Sequence, residues 1–255
     1  MAEDVMPCSS SLPGTTASAG TQPSTANGTP LRMFVFARHA ESAANANQVL
    51  STDPSRPVAL TERGRAQASA LGAQLANVPV DLAVCSRLLR TQETMNIALG
   101  GRAVPVLIEP GFDEIEAGDL DGEPIQAYWD WLGQHTASDR LPHGESLDDA
   151  LLRYAGALRK LLTRAGQVML VVTHEFALRH IAAAAAPPRR PPPWPDAEFA
   201  HAVPYLFDSS AIRRAAAGLT AEGTPPSVNG KANDPCGVAS QAPLQRTLER
   251  ECPSC

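Results

Sequence analysis

Val168-Met169-Leu170-Val171-Val172-Thr173 is an unbroken run of apolar and β-branched residues closed by His174. A strand with one wet face alternates polar and apolar residues; this one does not, so both of its faces must be covered. Such strands occur at the centre of parallel sheets flanked by helices. The run therefore commits the chain to an α/β fold. We expect a three-layer α/β/α architecture with a mostly parallel central sheet.

The rest of the chain supplies the alternation this requires. Residues 33–37 read as a short buried strand that ends in Arg38-His39, followed by a loop over residues 43–59 crossing the carboxyl end of the sheet. Leu60-Thr61-Glu62-Arg63-Gly64 opens a helix, with Thr61 as N-cap and Glu62 suited to the positive first turn. Ala68, Leu71 and Leu75 give it one apolar face, and it should stop near Asn77, before Pro79. Residues 80–85 form a second strand. Ser86 is placed to cap a helix that runs to about Leu99, before Gly100-Gly101. Residues 104–108 form a third strand, whose Pro105 suits an edge or a strand start.

The acidic, glycine-punctuated stretch 109–123 reads mostly as a solvated loop. A short helix is expected over 124–135, its aromatic residues serving as packing. Ser146, with Asp149 three residues on, starts the longest helix in capping-box fashion; Leu147, Leu151, Leu158 and Leu162 follow helical spacing, and Gly166 suits its end. Residues 175–186 continue as a helix after the central strand, and 203–207 read as a last edge strand. No internal repeat is visible.

Both ends have a different composition. Residues 1–30 and 218–255 are Ser-, Thr-, Gly- and Pro-rich with few large apolar side chains, too few to offset chain entropy, so both are expected to be disordered tails around a domain at 31–217. Residues 187–195, Pro-Pro-Arg-Arg-Pro-Pro-Pro-Trp-Pro, read as a stiff polyproline connector. It offers at most a weak contact to an SH3-like groove. A net charge of -6 without a basic stripe argues against nucleic acid as a partner. No run reaches the length of a membrane span and the N-terminus lacks the signal-peptide pattern, so no membrane contact is expected and the cytoplasm is the default. The five cysteines, odd in number, make no disulfide framework, and Cys252-Pro-Ser-Cys255 lacks the second pair or histidine that a zinc site needs.

The chemistry collects at the strand ends. His39 and His174 each terminate a strand, and Arg90 lies one turn beyond another. In a parallel sheet these ends share one edge, where helix N-termini also point, so two imidazoles, Arg38, Arg90 and helix dipoles can surround a single anion. A neutral imidazole can attack phosphorus with one ring nitrogen, while arginines remain charged and grip phosphate oxygens in a fork. Such a site would need neither metal nor cofactor. His135, His143, His180 and His201 are taken as packed or capped, and Arg87 and Arg102 as surface residues.

The ordered set resembles the histidine phosphatase superfamily, which includes the cofactor-dependent phosphoglycerate mutases. Arg38-His39-Ala40-Glu41-Ser42-x-x-Asn45 is similar to the family's Arg-His-Gly-Glu-Thr/Ser signature. Leu60-Thr61-Glu62-x-Gly64-x-x-Gln67-Ala68, Cys85-Ser86-x-Leu88-x-Arg90-Thr91, Glu114-Ile115-x-x-Gly118-x-x-x-Gly122, Gly144-Glu145-Ser146 and Val171-Val172-Thr173-His174 follow in the family's order. The resemblance covers about residues 32–210. It implies His39 as nucleophile, Arg38, Arg90 and His174 around the phosphate, Glu114 as general acid, and Asn45 as a pocket residue that contacts substrate.

The implied activity is hydrolysis of a small-molecule phosphomonoester through a phosphohistidine. A mutase is the alternative, set second because only 60 residues separate Glu114 from His174, a span shorter than in the mutases. A third reading, from another class, is a weakened phosphate-ester binding or scaffold protein. Two positions depart from the family. Ala40 replaces a usual Gly and is expected to crowd the turn after His39. Glu175 replaces a usual Gly after the second histidine. Pointing inward, it would repel a phosphate dianion or favour a cationic substrate; otherwise it points outward.

Overall fold

The computed structural model describes residues 32–187 and 199–219, all within the compact unit Arg32–Cys255. The expected tail 1–30, the connector beyond Pro187, and the tail beyond Leu219 lie outside the described residues, as do all cysteines except Cys85, which is buried and free.

Five strands form one sheet: β1 (Met33–Arg38), β2 (Leu82–Cys85), β3 (Val106–Ile108), β4 (Val168–Thr173) and β5 (Pro204–Asp208), in the order β3-β2-β4-β1-β5. β1, β2, β3 and β4 are parallel, and β5 joins β1 antiparallel. The expected central strand is β4, buried at every position, and the Pro105 strand is indeed an edge. Side chains leave β1 and β4 alternately toward two separate cores. Phe34, Phe36, Met169 and Val171 pack on one side with residues of α5 (Leu147–Thr163), α6 (Glu175–Ala185) and α7 (Ser209–Gly218). Val35, Ala37, Leu170 and Val172 pack on the other with α2 (Glu62–Gln74) and α3 (Leu89–Leu99). The fold is therefore α/β with three layers. Phe36 meets Phe112 and Phe207 edge-on, at centroid distances of 6.0 and 5.5 Å. Such pairs add about 0.5–1.5 kcal/mol each beyond burial.

The caps form as their chemistry dictates at Thr61, whose hydroxyl accepts from Gly64 N–H at 2.9 Å, and at Ser146, which completes its capping box with Asp149. Other boundaries move. The 43–59 stretch is not all loop: Ser42 and Asn45 build a capping box that starts the short helix α1 (Ala43–Ala46). α2 closes at Gln74, before its expected stop, and the strands at 80–85 and 104–108 shrink to β2 and β3. Gly166 does not end α5; Arg164 does, and Gly166 takes a positive φ two residues later. α7 was not expected at all. Its apolar residues Ile212, Ala215 and Ala216 are small or few, a weak pattern that becomes a helix by packing on α5 and α6. The short helix α4 (Ile125–Leu132) forms as expected, with Tyr128 inward and Trp129 about half exposed.

The acidic stretch 109–123 is corrected in part. Glu116, Asp119 and Glu123 are exposed, but Glu109 and Asp113 are buried. Each carboxylate has partners that repay its desolvation. Glu109 accepts from Gly111 N–H and Lys160 Nζ at 3.0 and 2.8 Å, and Asp113 from Arg87 N–H and Nε at 2.8 and 2.6 Å.

Candidate active site

Strand register builds the site. β1 and β4 run side by side with Arg38 opposite Thr173, and the His39 N–H donates to Thr173 O at 2.8 Å. The next residue on each strand is a histidine, so the two rings lie 5.2 Å apart. β2 flanks β4 on the other side, and the turn after it carries Ser86 and, on the first turn of α3, Arg90. α3 and α6 both begin without a side-chain cap, which leaves their first N–H groups facing this edge.

The hydrogen bonds assign the ring nitrogens. His39 Nδ1 lies 2.8 Å from Ala40 O, a pure acceptor, so Nδ1 carries the proton and Nε2 offers its lone pair. Arg90 Nε donates to that lone pair at 3.0 Å, and Arg90 Nη2 reaches His174 Nδ1 at 3.2 Å. The guanidinium can only donate, so His174 Nδ1 accepts and its Nε2–H donates to Ser86 Oγ at 2.8 Å. Ser86 passes the chain to Thr91 Oγ1 at 2.9 Å, and Thr91 to Leu88 O at 2.8 Å. Ser86 is thus a rest for His174 rather than the helix cap its position suggested; Leu88 takes the cap position.

Burial, with Arg90 adding to it, pushes the His39 and His174 imidazoles well below their ordinary range. Both are neutral at pH 7. Burial also lowers Arg90, to about 10, which leaves it cationic. Glu114 lies 3.9 Å from His174 Nδ1, its side chain 18% exposed. Burial raises its pKa above the usual carboxyl value, against the pull of Arg90 and of the Ile115 N–H, so it holds a proton more readily than a surface glutamate. Such a set offers a neutral nucleophilic nitrogen, a cation beside it and a carboxyl able to donate.

The sequence profile described as "Histidine phosphatase superfamily (branch 1)" matches residues 34–199. The chain belongs to the histidine phosphatase superfamily. A 2,3-bisphosphoglycerate-dependent phosphoglycerate mutase 2 from Gloeobacter violaceus is 32% identical over 170 residues, 59% of this chain and 74% of the relative. An adenosylcobalamin/alpha-ribazole phosphatase from Escherichia coli K12 is 31% identical over 163 residues, 60% of this chain and 78% of the relative. Among solved structures, Bacillus stearothermophilus YhfR superposes with a TM-score of 0.60 at 25% identity, covering 69% of this chain and 90% of that one.

Within the superfamily domain the structure brings together His39, Arg90, Glu114 and His174, with Arg38 beside them. Arg38 is buried and its Nη1 lies 2.9 Å from Phe199 O and 2.9 Å from Glu175 Oε2. Asn45 follows on α1, where its carboxamide oxygen accepts from the Ser42 N–H and hydroxyl at 3.0 and 2.7 Å; among the described residues no hydrogen bond joins it to the histidines. Ala40 causes no strain. It is not among the non-glycine residues of positive φ, and its N–H donates to Thr94 Oγ1 at 2.9 Å.

Three residues set aside or unremarked in the sequence belong to this histidine phosphatase site. His201 Nδ1 lies 2.8 Å from His39 O, and its ring is 5.5 Å from that of His39. Nothing in its local sequence signals this, because 162 residues separate the two histidines along the chain. Arg87 is the surface residue expected, its side chain 53% exposed, and from there it ties the turn after β2 to Asp113 beside Glu114. Arg153 of α5 holds the Glu114 loop itself, donating to Asp113 O at 3.0 Å and to Glu114 O at 3.2 Å, while its other face pairs with Glu145. It sits seven residues after Ser146, one face of the helix from the cap, which is the signal that spacing offered.

Beside Glu114 opens a cavity of about 610 Å³ whose wall carries seven carboxylates and four cations. Each cation is matched: Arg56 by Asp121, Arg87 by Asp113, Arg153 by Glu145 and Lys160 by Glu109. Among the described residues no helix is long and apolar enough to cross a membrane.

Proposed function

We propose that the chain is a metal-independent phosphomonoesterase acting through a phosphohistidine. The observation that carries this reading is the state of His39: Nδ1–H locked on Ala40 O, ring neutral, Nε2 lone pair aimed at Arg90. A phosphoryl group takes the place of that lone pair's partner, and Arg90 Nε moves from the ring to a phosphoryl oxygen. Nε2 then attacks phosphorus, the P–O bond to the leaving group breaks, and Glu114 gives its proton to the departing oxygen. In the second displacement water attacks the phosphohistidine, Glu114 takes the water proton, the P–N bond breaks and orthophosphate leaves. Arg38 and Arg90 supply the positive charge that this in-line transfer needs, a task for which positioning and electrostatics suffice. The dianion also counters the positive charge of Arg90 and Arg38, which adds to burial in depressing His174, and so favours a protonated ring that presents Nδ1–H to the phosphoryl group.

Hydrolysis is set ahead of mutase chemistry by the short span from Glu114 to His174, 60 residues, which leaves little chain to enclose a bisphosphate. The mutase reading draws its support from the name of the Gloeobacter relative. The test is phosphate release from an aryl phosphate with chelator present, and from a panel of sugar phosphates, against His39→Ala. Release that survives His39→Ala would remove the nucleophile. Exchange between phosphoglycerate positions that requires a bisphosphate primer would establish the mutase. No turnover, with no acid-labile phosphate on the chain, would leave a binding protein.

A further inference from the structure

We propose that Glu175 is a resident anion of the phosphate pocket, a specificity-determining residue that competes with phosphate for Arg38. The inference rests on the phosphate-site reading above and extends it to the pocket's affinity. Glu175 follows His174 directly and is the first residue of α6, so its carboxylate lies at an uncapped helix start, where an anion is stabilised. Its Oε2 is 2.9 Å from Nη1 of Arg38, whose side chain is 8% exposed, and its Oε1 is 2.7 Å from Nη2 of Arg179 one turn on. The side chain therefore bridges a buried arginine of the site and an arginine of the helix flank. It points inward, which decides between the orientations the sequence left open.

The consequence follows from charge. A phosphoryl dianion that engages Arg38 either displaces the Glu175 carboxylate or shares the guanidinium with it, at the cost of like-charge repulsion. Both routes weaken binding of the dianion, of substrate and product alike. Arg179 moderates the effect by pairing with the other oxygen of the same carboxylate. Glu175 thus trades phosphate affinity for product release, and the pocket becomes a weak orthophosphate site. Among the described residues no hydrogen bond or ion pair joins Glu175 to His39; its charge does reach Glu114, whose proton it helps to hold.

The test titrates sodium orthophosphate into full-chain wild type, Glu175→Gln, Glu175→Asp and Arg179→Gln by calorimetry, with folding of each checked by circular dichroism. Glu175→Gln should bind orthophosphate about tenfold more tightly, the effect of removing one adjacent like charge worth about one pKa unit. Glu175→Asp, which keeps the charge, should stay near wild type, and Arg179→Gln should bind more weakly than wild type. In turnover of an aryl phosphate, Glu175→Gln should lower KM and the orthophosphate inhibition constant together without raising kcat. Those shifts distinguish competition from scaffolding: if Glu175→Gln binds orthophosphate no better, or KM rises, the carboxylate orders Arg38 and the proposal fails. Should Glu175→Gln misfold, equal affinity of Arg179→Gln and wild type overturns it independently. Orthophosphate binding without turnover in any protein would sink the hydrolase reading and leave the competition measured. No binding to any of the four would overturn both.

Discussion

The two halves of the site are held in different ways. His39 and His174 project from adjacent parallel strands and Arg90 from the first turn of a helix, so their separation is fixed by sheet register and by backbone hydrogen bonds such as His39 N–H to Thr173 O. Glu114 sits on a loop outside the sheet, tied to it by side chains such as Thr173, whose hydroxyl donates to Phe112 O at 3.0 Å. Its place depends on side chains from elsewhere, with Arg153 gripping the carbonyls of Asp113 and Glu114, and Asp113 gripped in turn by Arg87. The turn after His39 is set by a further close approach: a Cβ on Gly64 would strike the Glu41 carbonyl, so α2 can lie against this turn only with glycine there. The lesson is that the nucleophilic half is as rigid as the core, while the acid half is as firm as a few ion pairs.

Four substitutions and a pH series can break or sharpen that contrast. The largest effect belongs to the rigid half: His39→Ala should reduce phosphate release to the uncatalysed background and abolish acid-labile phosphate on the chain, both read in a quench assay. Next, Glu114→Gln should lower kcat by about 10²–10⁴-fold on alkyl phosphates. The loss should shrink on aryl phosphates with good leaving groups, which need no proton. If both substrate classes lose equally, Glu114 is not the acid. Arg153→Met should act through the loop, lowering kcat more than it raises KM and costing about 1–3 kcal/mol of stability through lost charged hydrogen bonds, measured by urea denaturation. Gly64→Ala should cost about 1–3 kcal/mol through overpacking, with KM less affected than stability.

The pH dependence separates the halves again. His39 is depressed below its ordinary pKa by burial and by Arg90, so the nucleophile stays neutral into acid and the acid limb of kcat/KM should lie below pH 6.5. Glu114 is raised by burial, so activity should fall as pH climbs through a value above the usual carboxyl range. Glu114→Gln should erase that alkaline limb and leave the acid one. Stability follows the histidines. Because His39 and His174 are depressed in the folded state, the unfolded chain takes up protons first. Unfolding free energy should therefore decline as pH drops below about 6.5, by up to about 1.4 kcal/mol per pH unit for each histidine. Thermal melts of His39→Ala should show a shallower decline. The smallest signal is proton uptake by His174 when orthophosphate binds, readable as a buffer-dependent binding enthalpy.

Much of this was legible in the chain. The continuous run 168–173 could only be a central strand, the Thr61 and Ser146 caps are local chemistry within three residues, and the order of the arginine, histidine and glutamate segments pointed to the family before any geometry. What local windows could not carry is the identity of partners far apart in the chain. Ser86 looked like a cap because Ser before a helix usually is one, and only the proximity of His174 turned its hydroxyl elsewhere. Glu109 and Asp113 looked solvated because charge runs usually are, and only α5 and the turn after β2 supplied the Lys160 and Arg87 that pair with them. α7 has too short an apolar stripe to announce itself, and His201 reaches His39 only because β5 folds back antiparallel on β1.

The sequence by itself thus determined the layers, the central strand and the residue types at the sheet's carboxyl edge, because periodicity and capping act over a few residues. Tertiary structure alone decided the tautomers of the two histidines, the burial that neutralises them and raises Glu114, and the inward turn of Glu175 onto Arg38. Each of these depends on which side chains share a low-dielectric space, and that is a property of packing that no spacing along the chain encodes.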